Sequence, residues 1–369
     1  MNILVISSSR AYGGLENQTV NLLCALKGRG HNAVLGCPEG SLIYNDALKF
    51  SVPVEDICFT NAGDLLAAFR LATAVRRHKI EVLVATMGKE YWPAAVMAGL
   101  MGRKVVYIRH MADRLKKHTV WLVRTAVDGV IAVSGFVREG LLVAGVPAEK
   151  ISVVHNGIGV ERFADQTGKR EETRRELGIS PDDFVVGVAG ALNEGKGMFV
   201  LMKAAERLKD FFAPEFRPRL LLIGDGPSRA ELEEMAKKLG LAAIFTGRRL
   251  DMERMYSAMD VFLFPSICRE SFGMVVIEAM ASGLPVIASS VGGVPEIVKN
   301  GENGILVPPG DPSALAGAIC RLAGDAEFSK QMARNGEKNV LDNFSREAMA
   351  IRFEEAIASF CGTVRNRRF

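Results

Sequence analysis

A chain of 369 residues, 49% of them apolar, is long enough for two α/β domains with separate cores. Its net charge of +4 is uneven: Lys and Arg less Asp and Glu give 18 − 12 = +6 over residues 1–155 and 28 − 30 = −2 over 156–369. The six cysteines, Cys24, Cys37, Cys58, Cys268, Cys320 and Cys361, contain no C-x-x-C pair, which argues against a zinc site or a disulfide framework and fits a reducing cytosol.

The first predicted element is a strand at Ile3–Ile6. It is too short, and lacks the basic flank, to be expected as a signal peptide. Ser7-Ser8-Ser9-Arg10-Ala11-Tyr12-Gly13-Gly14 follows, before a helix marked by Leu15, Thr19, Leu22 and Leu26 at helical spacing. A Gly-Gly turn opening a helix leaves main-chain N–H groups free for a phosphate, although glycines also serve simply to turn a chain. The spacing is not G-x-G-x-x-G, so no dinucleotide fingerprint is present there.

Further strands are predicted at Val82–Ala85, Val105–Ile108 and Val130–Val133, in the βαβ rhythm of a parallel sheet. Between the last two lie Arg109, Arg114, Lys116, Lys117 and Arg124, with Arg103 and Lys104 just before and Trp121 among them. Such a segment suits a lipid surface or a phosphorylated acceptor, whereas a solvated basic face needs no partner. The helical stripe Leu115, Thr119, Leu122 and Ala126 reads more naturally as core. No apolar run approaches the roughly 18 residues of a spanning helix, so any membrane contact is expected to be peripheral.

The rhythm breaks at His155-Asn156-Gly157-Ile158-Gly159 and the charged stretch from Asp165 to Glu176. The expected domains are 1–157 and 158–344, with a final helix over about 345–369 carrying Met349, Ile351, Phe353, Ala356 and Phe360. Strands resume at Val185–Ala189, Leu220–Ile223, Val261–Phe264 and Val286–Ala288.

After Val261–Phe264 comes Glu270-Ser271-Phe272-Gly273-Met274-Val275-Val276-Ile277-Glu278. One carboxylate stands just before a predicted helix and the other two turns inside it. A helix start offers unpaired N–H donors and partial positive charge to a sugar hydroxyl or diphosphate oxygen. Capping would explain Glu270, but Glu278 lies among apolar residues, and a buried carboxylate needs partners.

These residues, with Ala279-Met280-Ala281-Ser282-Gly283-Leu284-Pro285-Val286, Val291-Gly292-Gly293-Val294-Pro295-Glu296 and Gly301-Glu302-Asn303-Gly304, resemble the retaining GT-B glycosyltransferases of family 4. The likeness extends to Gly13-Gly14-Leu15-Glu16, Asn156-Gly157, Leu221–Pro227 and Thr246-Gly247, nearly the whole chain. It implies an α/β fold of two Rossmann-like doubly wound parallel sheets, with a nucleotide sugar held mainly by the second domain and the acceptor by the first. Glu278 matches the carboxylate that binds the ribose, and Glu270 the one facing the donor sugar. Lys196 matches the lysine that neutralises the leaving diphosphate, and His110 a histidine at the donor sugar. The N–H groups around Ser271, Phe272, Gly273, Met274 and Val275 are expected to hold sugar hydroxyls and the distal phosphate, the main chain at Arg249 the base, and Gly13 and Gly14 the donor. Ala191 departs from the pattern, since many relatives carry an arginine there.

The resemblance implies no metal and no cofactor, with a nucleotide-sugar donor and a glycan or lipid-linked acceptor as partners and no nucleic acid; the basic segment from Arg103 to Arg124 with Trp121 adds peripheral contact with the inner membrane as a separate expectation. The expected setting is cytoplasmic, in cell-surface polysaccharide or lipopolysaccharide assembly. The competing readings are a sugar-nucleotide epimerase or phosphorylase of similar shape and a non-catalytic sugar-nucleotide-binding protein.

Overall fold

The computed structural model describes the chain except for residues 11–12, 165–167, 209–217 and 363–369 and the side chains of 361–362. Ala11, Tyr12, Asp165 and the Cys361 side chain, noted in the sequence, therefore lie outside the described residues. The chain divides into two compact units, Met1–Ile158 with Phe344–Phe369, and Gly159–Asn343.

In the first unit the order is β1 (Asn2–Ile6), α1 (Gly14–Gly28), β2 (Asn32–Cys37), α2 (Leu42–Lys49), β3 (Val54–Asp56), α3 (Leu65–Arg77) and β4 (Val82–Ala85). It continues with α4 (Gly88–Met101), β5 (Lys104–Arg109), α5 (Lys117–Thr125), β6 (Gly129–Ala132), α6 (Gly135–Val143) and β7 (Ile151–Val153). The sheet is parallel throughout, in the order β3-β2-β1-β4-β5-β6-β7. Its central strands are buried on both faces, which is why they read as continuous apolar runs.

The second unit runs α7 (Glu161–Ala164), α8 (Lys169–Glu176), β8 (Val185–Ala189), α9 (Met198–Arg207), β9 (Arg219–Ile223), α10 (Arg229–Lys238) and β10 (Ala243–Gly247). Then come α11 (Met252–Ser257), β11 (Val261–Phe264), α12 (Met274–Ala281), β12 (Val286–Ser289), α13 (Val294–Ile297), β13 (Ile305–Val307), α14 (Pro312–Gly324) and α15 (Ala326–Asn343). This sheet is also parallel, in the order β10-β9-β8-β11-β12-β13, the doubly wound dinucleotide-fold sequence of strands.

Helix α16 (Arg346–Gly362) belongs to the first unit and packs on α1 and β6. Met349, Phe353, Ala356 and Phe360 are buried there, while Ile351, expected in the same stripe, is exposed. The fit is close at Gly129, where a Cβ would stand 2.4 Å from the Phe360 ring. Gly157 is small for a related reason. Its φ is ordinary, but a Cβ would lie 2.5 Å from Ser345 O, because Ile158 N donates to Phe344 O and Arg346 N to Ile158 O. The Gln18 amide, with nitrogen toward Gly157 O (3.0 Å) and oxygen toward Gly157 N (3.2 Å), completes this crossing of chains. Asn156-Gly157 thus marks a close approach of backbones.

Strands β2, β3, β7, β10 and β13 carry no strong sequence signal. Three of them have only three residues, and β2 and β10 interleave Gly, Asn or Thr with the apolar positions. Helix α5 begins at Lys117, so Leu115 of the expected stripe precedes it, and Glu278 is the fifth residue of α12 rather than two turns in.

Candidate functional site

A doubly wound sheet offers its ligand crevice at the carboxyl ends of the strands where the order reverses. In the second unit that point lies between β8 and β11, whose following loops carry Lys196 and Glu270. Lys196 Nζ stands 2.6 Å from Glu270 Oε1, with Nζ 5.8 Å from the centroid of the Phe264 ring. Ser266 Oγ also donates to Glu270 Oε1 at 2.6 Å.

Backbone packing holds this pair in place. Gly195 O accepts from Ile267 N (2.9 Å) and Cys268 N (3.1 Å), fastening the Lys196 loop to the Glu270 loop. At Gly197 φ is +71° and a Cβ would sit 1.8 Å from Pro265 O. On the other side Gly293 N donates to Glu270 O at 2.9 Å, and Gly292, at φ +54°, approaches so closely that a Cβ would be 1.9 Å from the same oxygen. The two glycines of Val291-Gly292-Gly293 therefore let one loop lie flat on the Glu270 peptide.

Ser271, Phe272 and Gly273 lead into α12, which Met274 and Val275 open, and no side chain caps its start. Its first N–H groups have no intrahelical partner and point partial positive charge away from the helix. One turn on, Glu278 is buried, and Tyr256 Oη donates to its Oε2 at 2.9 Å. Burial pushes the Glu278 carboxyl up to about 7, against the opposing pull of Tyr256 and Arg162. A carboxylate this shielded, with Tyr256 its one side-chain donor among the described residues, retains acceptor capacity for hydroxyl groups.

Arg249 follows β10, but its guanidinium is occupied: Nη2 lies 2.6 Å from Asp251 Oδ2 and 3.1 Å from Glu176 Oε1. Its side chain is thus not a spare cation for a diphosphate, and Ala191 is exposed at the end of β8.

In the first unit Gly13 and Gly14 start α1, and Gly13 N donates to Glu16 Oε2 at 2.8 Å. His110 ends β5. Its Nε2 is buried with no partner among the described residues, and the ring lines a cavity of about 20 Å³ with Gln18, Thr19 and Asn156. Burial, helped by the charge of Arg109, holds the imidazole down at about 4, so it is neutral at physiological pH. Gly13, Gly14 and His110 belong to one unit, and Arg249, Lys196, Glu270, Glu278 and the Ser271–Val275 segment to the other.

Sequence reasoning missed Glu90. It stands in the first turn of α4 at the reversal point between β1 and β4, wholly buried. It accepts N–H groups of Ser8 (2.5 Å), Met87 (2.9 Å) and Thr86 (3.1 Å), while Lys89 Nζ donates to Ser8 O at 2.9 Å. Burial pushes its carboxyl up to about 7, although those donors pull it down. The available signal was an acid three residues after Met87, where it reaches back over the helix start, followed at once by Tyr91 and Trp92.

Two parallel doubly wound units of this topology define a GT-B architecture. Residues 169–339 match glycosyl transferases group 1 and residues 12–162 match Glycosyltransferase Family 4. A putative glycosyltransferase of Bacillus subtilis, EpsD, is 30% identical over 312 residues, 82% of this chain and 77% of that protein. The chain belongs to glycosyltransferase family 4. It spans about half the length of several curated relatives, among them an uncharacterized glycosyltransferase of Methanocaldococcus jannaschii, 32% identical over 228 residues, 60% of this chain and 57% of that protein. The fold is shared with Anabaena HepE, crystallised with UDP and glucose (TM-score 0.83, 24% identity, 97% of this chain and 100% of that one).

Proposed function

We propose that this protein is a retaining glycosyltransferase that moves a sugar from a nucleoside diphosphate to a hydroxyl of a glycan or lipid-linked acceptor, without a metal ion. The observation that carries the reading is the Lys196–Glu270 pair, 2.6 Å apart at the switch point of the second sheet and locked by backbone contact on both sides. Lys196 and the start of α12 supply positive charge for the departing diphosphate, the electrostatic task that dominates such chemistry. As the bond from the sugar to the diphosphate breaks, positive charge grows at the anomeric carbon and Glu270 opposes it. The acceptor hydroxyl attacks the same face, its proton passing to the departing phosphate oxygen, so no protein nucleophile is used. Glu278 takes the ribose hydroxyls, the N–H groups of Ser271 to Val275 the sugar and distal phosphate, and the main chain at Arg249 the base. Neutral His110 is assigned a hydrogen bond to the donor sugar rather than the role of a proton source, and the main chain at Gly13 and Gly14 a part in donor binding.

The HepE complex with UDP and glucose makes UDP-sugars the first donors to try. The proposed setting is the cytoplasmic side of the membrane, in polysaccharide or lipopolysaccharide assembly; among the described residues no helix is long and apolar enough to cross a bilayer. A thermal-shift panel of UDP-, GDP- and ADP-sugars, each with and without EDTA, tests the reading. One class should stabilise the protein by a few kcal/mol at saturation, unchanged by chelator. Stabilisation by none of them, or only with added magnesium or manganese, would contradict it.

A further inference from the structure

The two helix layers of the first unit differ in charge. Right-handed crossovers put α3, α4 and α5 together on one side of the sheet, α3 against α4 and α4 against α5, while α1 packs with α2 and α16 on the other. Helices α3 to α5 hold six cations, Arg70, Arg76, Arg77, Lys89, Lys117 and Arg124, against one acid, the buried Glu90, so 6 − 1 = +5. Helices α1, α2 and α16 hold four cations and five acids, 4 − 5 = −1.

Both layers expose large apolar side chains, but those of the basic layer stand out further: on the other side Leu42 is 56%, Leu48 49% and Phe50 46% exposed. Leu65 is 84% exposed, Phe69 70%, Leu100 77% and Trp121 58%. Trp121 stacks on Trp92 with centroids 6.1 Å apart, which presents indole at the surface instead of folding it into the core. The expected core stripe of α5 does face inward at Thr119 and Leu122, so the outer face is left to Lys117, Trp121 and Arg124 at i, i+4 and i+7.

The structure also sorts the seven cations picked out in the sequence. Lys104 pairs with Asp128 at 3.3 Å, Arg109 with Asp113, and Arg103 has contacts of its own. Arg114, Lys116, Lys117 and Arg124 are exposed and make no ion pair among the described residues. Nearby carboxylates are committed: Asp113 to Arg109, and Asp64 to the start of α3 through Ala67 N at 3.0 Å.

We infer that the outer face of α3–α4–α5 docks on an anionic lipid bilayer, with Lys116, Lys117 and Arg124 at the headgroups and Trp121, Phe69 and Leu65 entering the interface. Free cations around aromatic and aliphatic tips are complementary to a negative surface over an apolar interior. The inference deepens the proposed use of a lipid-linked acceptor and rests on that reading.

The test is flotation with phosphatidylcholine vesicles, alone or with about one third phosphatidylglycerol. Wild-type protein should float with the anionic vesicles only and be released by high salt. Each cation is worth about fivefold in partitioning, so the combined Lys116→Glu, Lys117→Glu, Arg124→Glu variant should lose binding by well over tenfold. Phe69→Ser with Trp121→Ser should weaken binding several-fold while keeping the salt dependence. Melting temperature and UDP-glucose binding should be unchanged in all variants, which separates a lost surface from a lost fold. Wild-type protein left in the soluble fraction at low salt, equal flotation with neutral vesicles, or a charge-reversed variant that floats normally would each overturn the inference. If vesicles bind but no sugar donor does, the proposed activity fails and the docking surface stands.

Discussion

Glu278→Gln should raise stability and lower donor affinity at once, because the carboxylate is held where the fold alone disfavours its charge. Its pKa of about 7 in the folded chain lies above the ordinary 4.5. A carboxyl with a raised folded pKa binds its proton more tightly folded than unfolded, so its stabilising contribution is full below about 4.5 and is lost as pH rises through about 7. A gap of about 2.5 pH units corresponds to a cost on the order of 3 kcal/mol above that range. Glutamine removes this cost and still offers Tyr256 Oη a carbonyl oxygen, at about 1 kcal/mol for the weaker acceptor. The net gain at pH 8 is then about 2 kcal/mol, or roughly 4–8 °C in the melting transition of a unit this size. At pH 4.5 the gain should vanish, leaving the variant equal to or slightly below wild type. In the same protein the lost charge-assisted bond to ribose should weaken UDP-sugar binding by about 1.5–3 kcal/mol, roughly 10- to 150-fold. The assay is calorimetric melting from pH 4.5 to 8, alongside titration with the donor. A variant that melts lower at pH 8, or binds donor like wild type, would refute the reasoning.

Three further substitutions probe the rest of the site. Glu270→Gln should cut turnover by tenfold or more while nucleoside diphosphate binds almost normally, since its charge serves the sugar in the transition state; equal losses in steady-state kinetics and calorimetry would count against that role. Ala191→Arg should tighten nucleoside diphosphate binding if the exposed end of β8 faces the diphosphate, and unchanged affinity and rate would place position 191 elsewhere. Gly292→Ala forces a Cβ to within 1.9 Å of Glu270 O at φ +54°, so urea denaturation should show a loss of at least about 3 kcal/mol and turnover should fall with it. Wild-type stability in that variant would mean the loop does not depend on the close approach.

Much of the fold is legible because buried parallel strands are apolar on both faces, as at Val185–Ala189 and Val261–Phe264. Short strands such as Val54–Asp56 are not legible, since their pairing comes from the neighbours they complete. Glu278 stood out by its apolar surroundings. What it touches is a matter of tertiary packing, and Tyr256 lies 22 residues away with no local signal joining the two. Lys196 and Glu270 are 74 residues apart, so family resemblance pointed to both without giving the contact between them. Glu90 escaped notice because its partners are the N–H groups of Ser8, Thr86 and Met87, and a backbone donor leaves no mark in sequence. Charge patterning likewise counted the cations between Arg103 and Arg124 alike, although some are spent on Asp113 and Asp128 and others are free.

The central claim is that Lys196 and Glu270 serve transfer of a sugar from a nucleoside diphosphate, and release of that diphosphate measures it most directly. Wild-type protein should release nucleoside diphosphate from its donor only when acceptor is added, with NMR showing the donor's anomeric configuration in the product. Lys196→Ala should slow this release by 100-fold or more, on the order of 3 kcal/mol for a lost cation at the leaving group. Release independent of acceptor, inverted product, or an unimpaired Lys196→Ala enzyme would contradict the account.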